Sequence, residues 1–331
     1  MAQRPTAIER LPVHLGMDAD DPLLQLVQRA SEQAGSAGAS IEARALGYLQ
    51  AGFPLHLRGP AGSGKTTMAL RLAEQLKRPV MLLVGDASFD TRHLVGSEGG
   101  TRTRRVVDRY ISSVMKIESE TEAVWLDRTL TVACTEGCTL LYDEFNRAPA
   151  TANNVLLTVL EERVLVLPKA GRGECYVKVS PDFRAIFTSN PLDHVGTHLA
   201  QDALLDRMVT VDLEGFDRAG EIAIVTQRTG LAVAAASRIV DVVRDFRASG
   251  EYAQRPTIRA ALMIGDIVGR QGLRVASDDA RFVQLCLDIL GAKLKPAADG
   301  LPQPQHRALL QKLIDHFCPP APPRAARGAT P

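Results

Sequence analysis

Residues 59–66, Gly59-Pro60-Ala61-Gly62-Ser63-Gly64-Lys65-Thr66, leave this chain few ways to fold. The string has the spacing G-x-x-x-x-G-K-[ST], and its flanks decide its meaning. Before it runs a short apolar segment, residues 54–58, that reads as a strand. After it Ala69, Leu72, Ala73 and Leu76 recur at helical spacing. A glycine-rich loop between strand and helix lets the backbone curl so that N–H groups point inward. The helix N-terminus adds partial positive charge at the same place. Lys65 has the reach for β- and γ-phosphates, Thr66 offers a hydroxyl to Mg²⁺, and Thr67 follows in the first helical turn. The loop therefore implies a bound nucleoside triphosphate, and the strand–loop–helix unit implies an α/β fold.

A second segment supplies acids. Residues 139–144, Thr139-Leu140-Leu141-Tyr142-Asp143-Glu144, form an apolar strand ending in two carboxylates. Alone, such a pair reads as a solvated acidic turn. Downstream of a complete phosphate loop, the strand places its acids beside the metal at the carboxyl edge of a sheet. Asp143 then holds Mg²⁺ together with Thr66. Glu144 polarises the attacking water, a role worth about 10²–10⁴ in rate. Residues 183–190 form another apolar strand, ending in Asn190. That amide either orients the water near the γ-phosphate or opens an Asn190-Pro191 turn. In Leu204-Leu205-Asp206-Arg207-Met208, Arg207 stands just before a fifth strand. It reads as a surface residue or as an arginine finger for a neighbouring subunit, worth about 10³–10⁵ in turnover.

The strands fall at residues 54–58, 79–84, 139–142, 185–188 and 208–213, with helical stretches between them, which predicts a parallel sheet with helices on both faces. Residues 31–40 are Gly, Ala and Ser rich and read as a loop or linker, closing an N-terminal extension over residues 1–40. The nucleotide-binding domain spans residues 41–215. Within it, residues 163–181 hold two β-rich runs around a Gly-containing loop, a hairpin. Residues 216–316 carry helical pattern throughout and form a second, helical lid domain. Residues 317–331 are a Pro/Ala-rich tail with no apolar period, expected to be disordered. At 331 residues and 45% hydrophobic, the chain suits about two globular domains. A net charge of +1 speaks against nucleic acid or an anionic membrane as partner. No run approaches the roughly 20 apolar residues of a membrane span, and residues 1–20 lack a signal-like segment. Five cysteines, an odd and low count, point to a reducing compartment, the cytoplasm. Cys134 and Cys138, four apart, read as packing residues on one helix face, without the partners of a metal site.

Taken in order, Gly59 to Thr66, Asp143-Glu144-Phe145-Asn146-Arg147, Thr188-Ser189-Asn190-Pro191 and Asp206-Arg207-Met208 resemble the AAA+ ATPases, in particular their MoxR-type branch. A helical region containing Arg255-Pro256-Thr257-Ile258-Arg259-Ala260 follows, as in that class. The stretches 85–96 and 153–162 are similar to the same branch. Longer strings resemble the gas-vesicle N protein family: Ala51-Gly52-Phe53-Pro54, residues 141–145, residues 182–191 and residues 201–208. The resemblance covers about residues 40–290. It implies that Asn190 is a polar sensor, Arg207 a trans-acting finger, and Arg259 the arginine a helical lid brings to the nucleotide. Arg255 is a second candidate for that last role, and both also read as helix-end cations. It further implies Mg²⁺-dependent ATP hydrolysis in a ring, most often a hexamer, that remodels or assembles protein partners. For the gas-vesicle family those partners are vesicle shell and accessory proteins. A MoxR-type chaperone for metal insertion or enzyme-complex maturation would use the same chemistry. A nucleotide-bound structural component without turnover is a further alternative, against which Glu144 and Asn190 argue. A nucleic-acid motor is disfavoured by the neutral charge and the lack of an aromatic–basic stripe. Ala87-Ser88-Phe89 interrupts a region that is acidic in gas-vesicle relatives, which bears on partner contacts and leaves the nucleotide chemistry alone. By the resemblance, the 163–181 hairpin is an insert in the second helix that reaches toward the ring pore. Its basic tip, with Lys169 and Arg172, would handle a protein client; the alternative is a surface hairpin with no role.

Overall fold

The computed structural model describes residues 36–109, 115–167, 175–191, 202–295 and 304–320. The chain divides into two compact units, the helical one taking over at Gly215. In chain order the first contains α1 (Ser36–Gln50), β1 (Leu55–Arg58), α2 (Lys65–Gln75), β2 (Val80–Val84) and α3 (Thr91–Val95). Then come β3 (Gly96–Arg109), β4 (Met115–Asp127), α4 (Thr129–Glu136), β5 (Thr139–Asp143) and a 3₁₀ turn (Phe145–Arg147). After α5 (Ala150–Asn153) and α6 (Val155–Leu160) follow β6 (Val164–Leu167), β7 (Cys175–Lys178), β8 (Arg184–Ser189), α7 (Asp202–Leu205) and β9 (Val209–Asp212).

The five strands expected from the sequence form one parallel sheet in the order β2-β5-β8-β1-β9. The apolar runs of β5 and β8 are continuous because both faces are covered, whereas Leu82 and Val84 on the edge strand β2 are exposed. On β5 and β8, Leu140, Tyr142, Ala185 and Phe187 enter one core with Leu130, Leu156 and Val159. The alternate residues Leu141 and Ile186 join Leu55, Leu57, Val211 and the α1–α2 residues Ala45, Leu49, Leu72 and Ala73 in the other. Helices thus lie on both faces, as expected.

Four local expectations need correction. Residues 36–40 open α1 instead of continuing a linker; Ala45 and Leu49, both fully buried, give that helix a packed face, which outweighs the weak propensity of its start. The segment between β2 and β5, expected to be helical, holds the longest ribbon of the fold. β3 and β4 pair antiparallel from Gly96↔Asp127 to Arg109↔Met115, with an irregularity between Glu98 and Thr101. Cys138 lies beyond α4, which ends at Gly137 in the left-handed region (φ 72°). Both cysteines are nevertheless buried, and burial pushes the Cys134 thiol up to about 12. The 163–181 hairpin exists as β6 and β7, registered Val164↔Lys178 to Leu167↔Cys175. It stands between α6 and β8, not inside a helix, and its tip with Lys169 and Arg172 lies outside the described residues.

The second unit is helical: α8 (Arg218–Thr229), α9 (Val233–Ser249), α10 (Ile258–Gln271), α11 (Ala280–Gly291) and α12 (Pro304–Phe317). Val240, Phe246, Ile264, Phe282, Leu290 and Ile314 fill its centre. The N-terminal extension up to residue 35 and the tail from residue 321 lie outside the described residues. Among the described residues, no helix is long and apolar enough to cross a membrane.

Candidate nucleotide site

Because β8 lies between β5 and β1, the carboxyl ends of those three strands adjoin. The loop after β1 is thereby set beside the acids after β5 and the amide after β8. Gly62 and Gly64 have φ of 83° and 82°, a region L side chains adopt at a cost, and Gly64 delivers the chain into α2. Gly59 N–H donates to the Ser189 carbonyl at 3.3 Å, joining the loop to β8. Lys65 is buried, and its ammonium donates to the carbonyls of Gly59 and Pro60, both at 2.8 Å. The cation is held within its own loop at the helix N-terminus, where the macrodipole also favours an anion.

Thr66 Oγ1 lies 3.0 and 3.1 Å from the two carboxylate oxygens of Asp143. A hydroxyl and a carboxylate are the hard oxygen donors Mg²⁺ prefers, so these two residues fit the metal the sequence implies. Thr188 completes the group. Its hydroxyl donates to Asp143, and it accepts the Glu144 N–H at 2.9 Å. Strand register explains the meeting: Tyr142 pairs with Phe187, so the next residues, Asp143 and Thr188, come abreast.

Glu144 itself sits at φ 51°, ψ 40°. For a residue with a side chain this left-handed conformation costs of order 1–3 kcal/mol and persists only when neighbours impose it. They do. Thr188 takes its N–H, and Gly85 N–H donates to the Asp143 carbonyl at 2.8 Å. A Cβ on Gly85 would come within 2.2 Å of the Glu144 carbonyl oxygen, so this approach requires glycine. Below, Asn153 accepts the Tyr142 hydroxyl at 3.0 Å and donates to the Phe145 carbonyl at 3.1 Å, fixing the 3₁₀ turn to β5. The Glu144 carboxylate pairs with Arg147 Nε at 3.0 Å and remains partly exposed.

Asn190 is buried at the end of β8, and Asn146 of the 3₁₀ turn donates to its carbonyl at 3.4 Å. One residue earlier, the Ser189 hydroxyl lies 2.8 Å from His56 Nε2, while His56 Nδ1 lies 3.1 Å from Thr210 Oγ1. The imidazole meets Phe145 edge-on at 5.3 Å. Burial, aided by the Arg58 cation, pushes the His56 pKa down to about 4, so this ring is neutral at physiological pH.

Lys65, Thr66, Asp143, Glu144 and Asn190 thus converge on one sheet edge. Arg207 does not. It precedes β9, whose Val209 N–H donates to the Pro54 carbonyl at the start of β1. Arg207 therefore lies at the amino edge, about 17 Å from the carboxyl edge at the rise of an extended strand. There it pairs with Glu161 (Nε to Oε2 2.7 Å) and donates to the Ala203 carbonyl at 2.6 Å. Arg255 and Arg259 are both exposed in the second unit; Arg259 lies in the first turn of α10, its N–H 3.3 Å from the Thr257 hydroxyl. Thr188, Gly85, Asn153, Arg147 and His56 are the residues sequence reasoning did not single out. Thr188, Arg147, Gly85 and Asn153 entered only as members of the strings that carry the family resemblance, without roles of their own, and His56 only as a strand residue.

Residues 54–208 match the AAA domain, dynein-related subfamily. The chain is 53% identical over 287 residues to the gas vesicle ATPase GvpN of Ancylobacter aquaticus, spanning 86% of this chain and 80% of that protein. It is 38% identical over 262 residues to the gas vesicle ATPase GvpN of Haloferax mediterranei, spanning 78% and 74%. Among solved structures, NtrX from Brucella abortus in complex with ADP aligns with a TM-score of 0.50 at 16% identity, over 88% of this chain and 63% of that one. That likeness speaks for the fold alone. These matches show an ATPase that binds nucleotide. At such identity over most of both lengths, the chain belongs to the GvpN family of gas vesicle ATPases, within the AAA+ class.

Proposed function

We propose that this chain couples Mg²⁺-dependent ATP hydrolysis to remodelling or assembly of proteins during gas vesicle formation. The observation that carries the chemistry is the Thr66 hydroxyl set 3.0 and 3.1 Å from both oxygens of Asp143, at the mouth of the Lys65 loop. Residues 59–67 cradle the phosphates through backbone N–H groups and the Lys65 ammonium. Thr66 and Asp143 would hold the metal, which when bound would offset charge on the phosphates. Glu144 takes a proton from the attacking water, and Asn190 orients that water. For Glu144 to act, its carboxylate must turn from Arg147, a partner worth little at a half-exposed position. Arg207 acts on the site of a neighbouring subunit in a ring, most simply a hexamer; its place at the far sheet edge supports action in trans. Arg259, or Arg255 before it, is the lid's cation toward the nucleotide. On this reading the clients are vesicle shell and accessory proteins and the site of action is the cytoplasm; the relatives' printed name, gas vesicle ATPase, supports the link to gas vesicles alone.

Three experiments test this. Purified protein should turn over ATP with Mg²⁺ and stop when the metal is chelated; undiminished turnover in chelator overturns the metal assignment. Glu144→Gln keeps shape but cannot act as base, so it should bind ATP normally and lose turnover at least about 10²-fold. Cells depending on that variant should lack vesicles, and normal vesicle numbers would remove the energy-driven role.

A further inference from the structure

The helical unit buries one carboxylate against two guanidinium groups. Glu221, in the first turn of α8, is 4% exposed. Its two oxygens accept from different residues of α9: Oε1 from Arg247 Nη1 at 2.8 Å, Oε2 from Arg244 Nη1 at 3.2 Å. Each arginine then extends to a backbone carbonyl. Arg244 Nη1 donates to the carbonyl of Phe216 at 3.3 Å, the residue after Gly215, where the chain enters this unit. Arg247 Nε donates to Pro256 O at 2.8 Å. That second carbonyl lies between Arg255 and Thr257, whose hydroxyl caps α10 by accepting the Arg259 N–H.

We propose that Glu221 is a positioning residue: through Arg247 it fixes the Pro256 carbonyl and so aims the helix start that carries Arg259. The proposal rests on Arg259 being the lid's cation toward the nucleotide. Stability alone does not account for the arrangement. A buried ionic triad is commonly no better than an apolar replacement of similar volume. Here it also leaves Arg247 Nη2 buried with no hydrogen-bond partner among the described residues. An apolar side chain, however, cannot hold two backbone carbonyls in set places, and these two mark where the chain enters the unit and where α10 begins. Thr257 caps α10 with a side-chain bond of 3.3 Å and accepts the Ala260 N–H on its carbonyl at 3.0 Å, and the Arg247 bond adds a tie to the α10 start from another helix. Proline at residue 256 fixes its own φ, so pinning its carbonyl sets the direction in which the helix leaves. The guanidinium serves both acceptors at once because its N–H groups form a rigid fork.

The test compares the full chain, Glu221→Gln, Arg259→Ala and the double variant, by amide hydrogen exchange and by ATP turnover at saturating ATP. Glu221→Gln should speed exchange at residues 257–260 while the rest of α10 keeps its protection. It should cut turnover roughly five- to tenfold, the size expected for coupled neighbours. In the Arg259→Ala background it should cost nothing further. Should Glu221→Gln fail to fold, Arg247→Lys carries the test: it keeps the charge but offers one ammonium for two acceptors, and should give the same pattern. Parental exchange at residues 257–260, or equal fold-losses with and without Arg259, overturns the proposal. Arg259→Ala at parental turnover removes the lid reading, and this proposal with it. An impaired Arg259→Ala beside a fully active Glu221→Gln overturns the proposal alone.

Discussion

On the proposed reading, phosphate binding turns on Lys65. Its ammonium is held by two carbonyls of its own loop, and an incoming phosphate offers a charged acceptor in their place. Lys65→Ala should therefore abolish tight ATP binding, measured by calorimetry; parental affinity in that variant would show the phosphate site to be misassigned. Thr188 tests the support beneath the acids. Thr188→Val keeps the shape but leaves the Glu144 N–H without that partner and takes one of the two donors from an Asp143 oxygen. An unmet buried polar group costs about 1–3 kcal/mol. Felt in the transition state, that is roughly ten- to a hundredfold in turnover. Thr188→Ser should restore most of it, and parental turnover in Thr188→Val would sink the supporting role. Lys65, Thr66, Asp143 and Glu144 were legible in the sequence because a few consecutive residues set their chemistry. Thr188 was not, because its hydroxyl acquires meaning only from the register of β8 on β5.

Elements carry strain and burial that single positions do not. The αL conformation of Glu144 is imposed by the approach of β2's end at Gly85, the Thr188 bond and the Asn153 bridge together. The central strand β1 carries the other buried polar feature, His56. Its folded pKa is about 4 against 6.5 for the free side chain, because burial and, secondarily, Arg58 oppose the charge, while Asp212 favours it. The unfolded chain thus takes up a proton below pH 6.5 that the native sheet refuses until about pH 4. This part of the stability is complete above pH 6.5 and is lost as pH falls toward 4. Between about pH 7.5 and about pH 5 the loss is about 2 kcal/mol. His56→Gln does not titrate, so its urea-unfolding free energy should fall less over that interval, by about that amount. Equal pH dependence in both proteins would show that His56 charges freely. The β3–β4 ribbon is the element the sequence reading missed. Its β-branched residues, such as Thr101, Thr103, Val106 and Val107, alternate or cluster without the long apolar run that marks a sheet strand.

At the scale of the molecule, Arg207 lies at the sheet edge opposite the phosphate loop of its own chain. If it completes a neighbour's site, Arg207→Ala should bind ATP normally and lose about 10³-fold in turnover. Mixed with Glu144→Gln, it should regain activity, since an interface between the two variants can hold one intact base and one intact finger. Subunit exchange, followed by fluorescence transfer, makes the experiment decisive: exchange without rescue removes the shared site, and a fully active Arg207→Ala removes the finger.

By itself the sequence determined the phosphate loop, the paired acids, the five strands and the helical second unit. These rest on local spacing and local period: a glycine loop between strand and helix, acids closing an apolar run, side chains recurring at a helical repeat. Tertiary structure decided which strands adjoin. Placing β8 between β5 and β1 brings Thr188 to Asp143, and β8 and β9 on either side of β1 give His56 partners 133 and 154 residues away. It put Arg207 at the opposite edge from Lys65, and it buried Glu221 between two arginines of the next helix. Such pairings depend on strand order, register and burial among distant segments, and no local pattern in the chain encodes them.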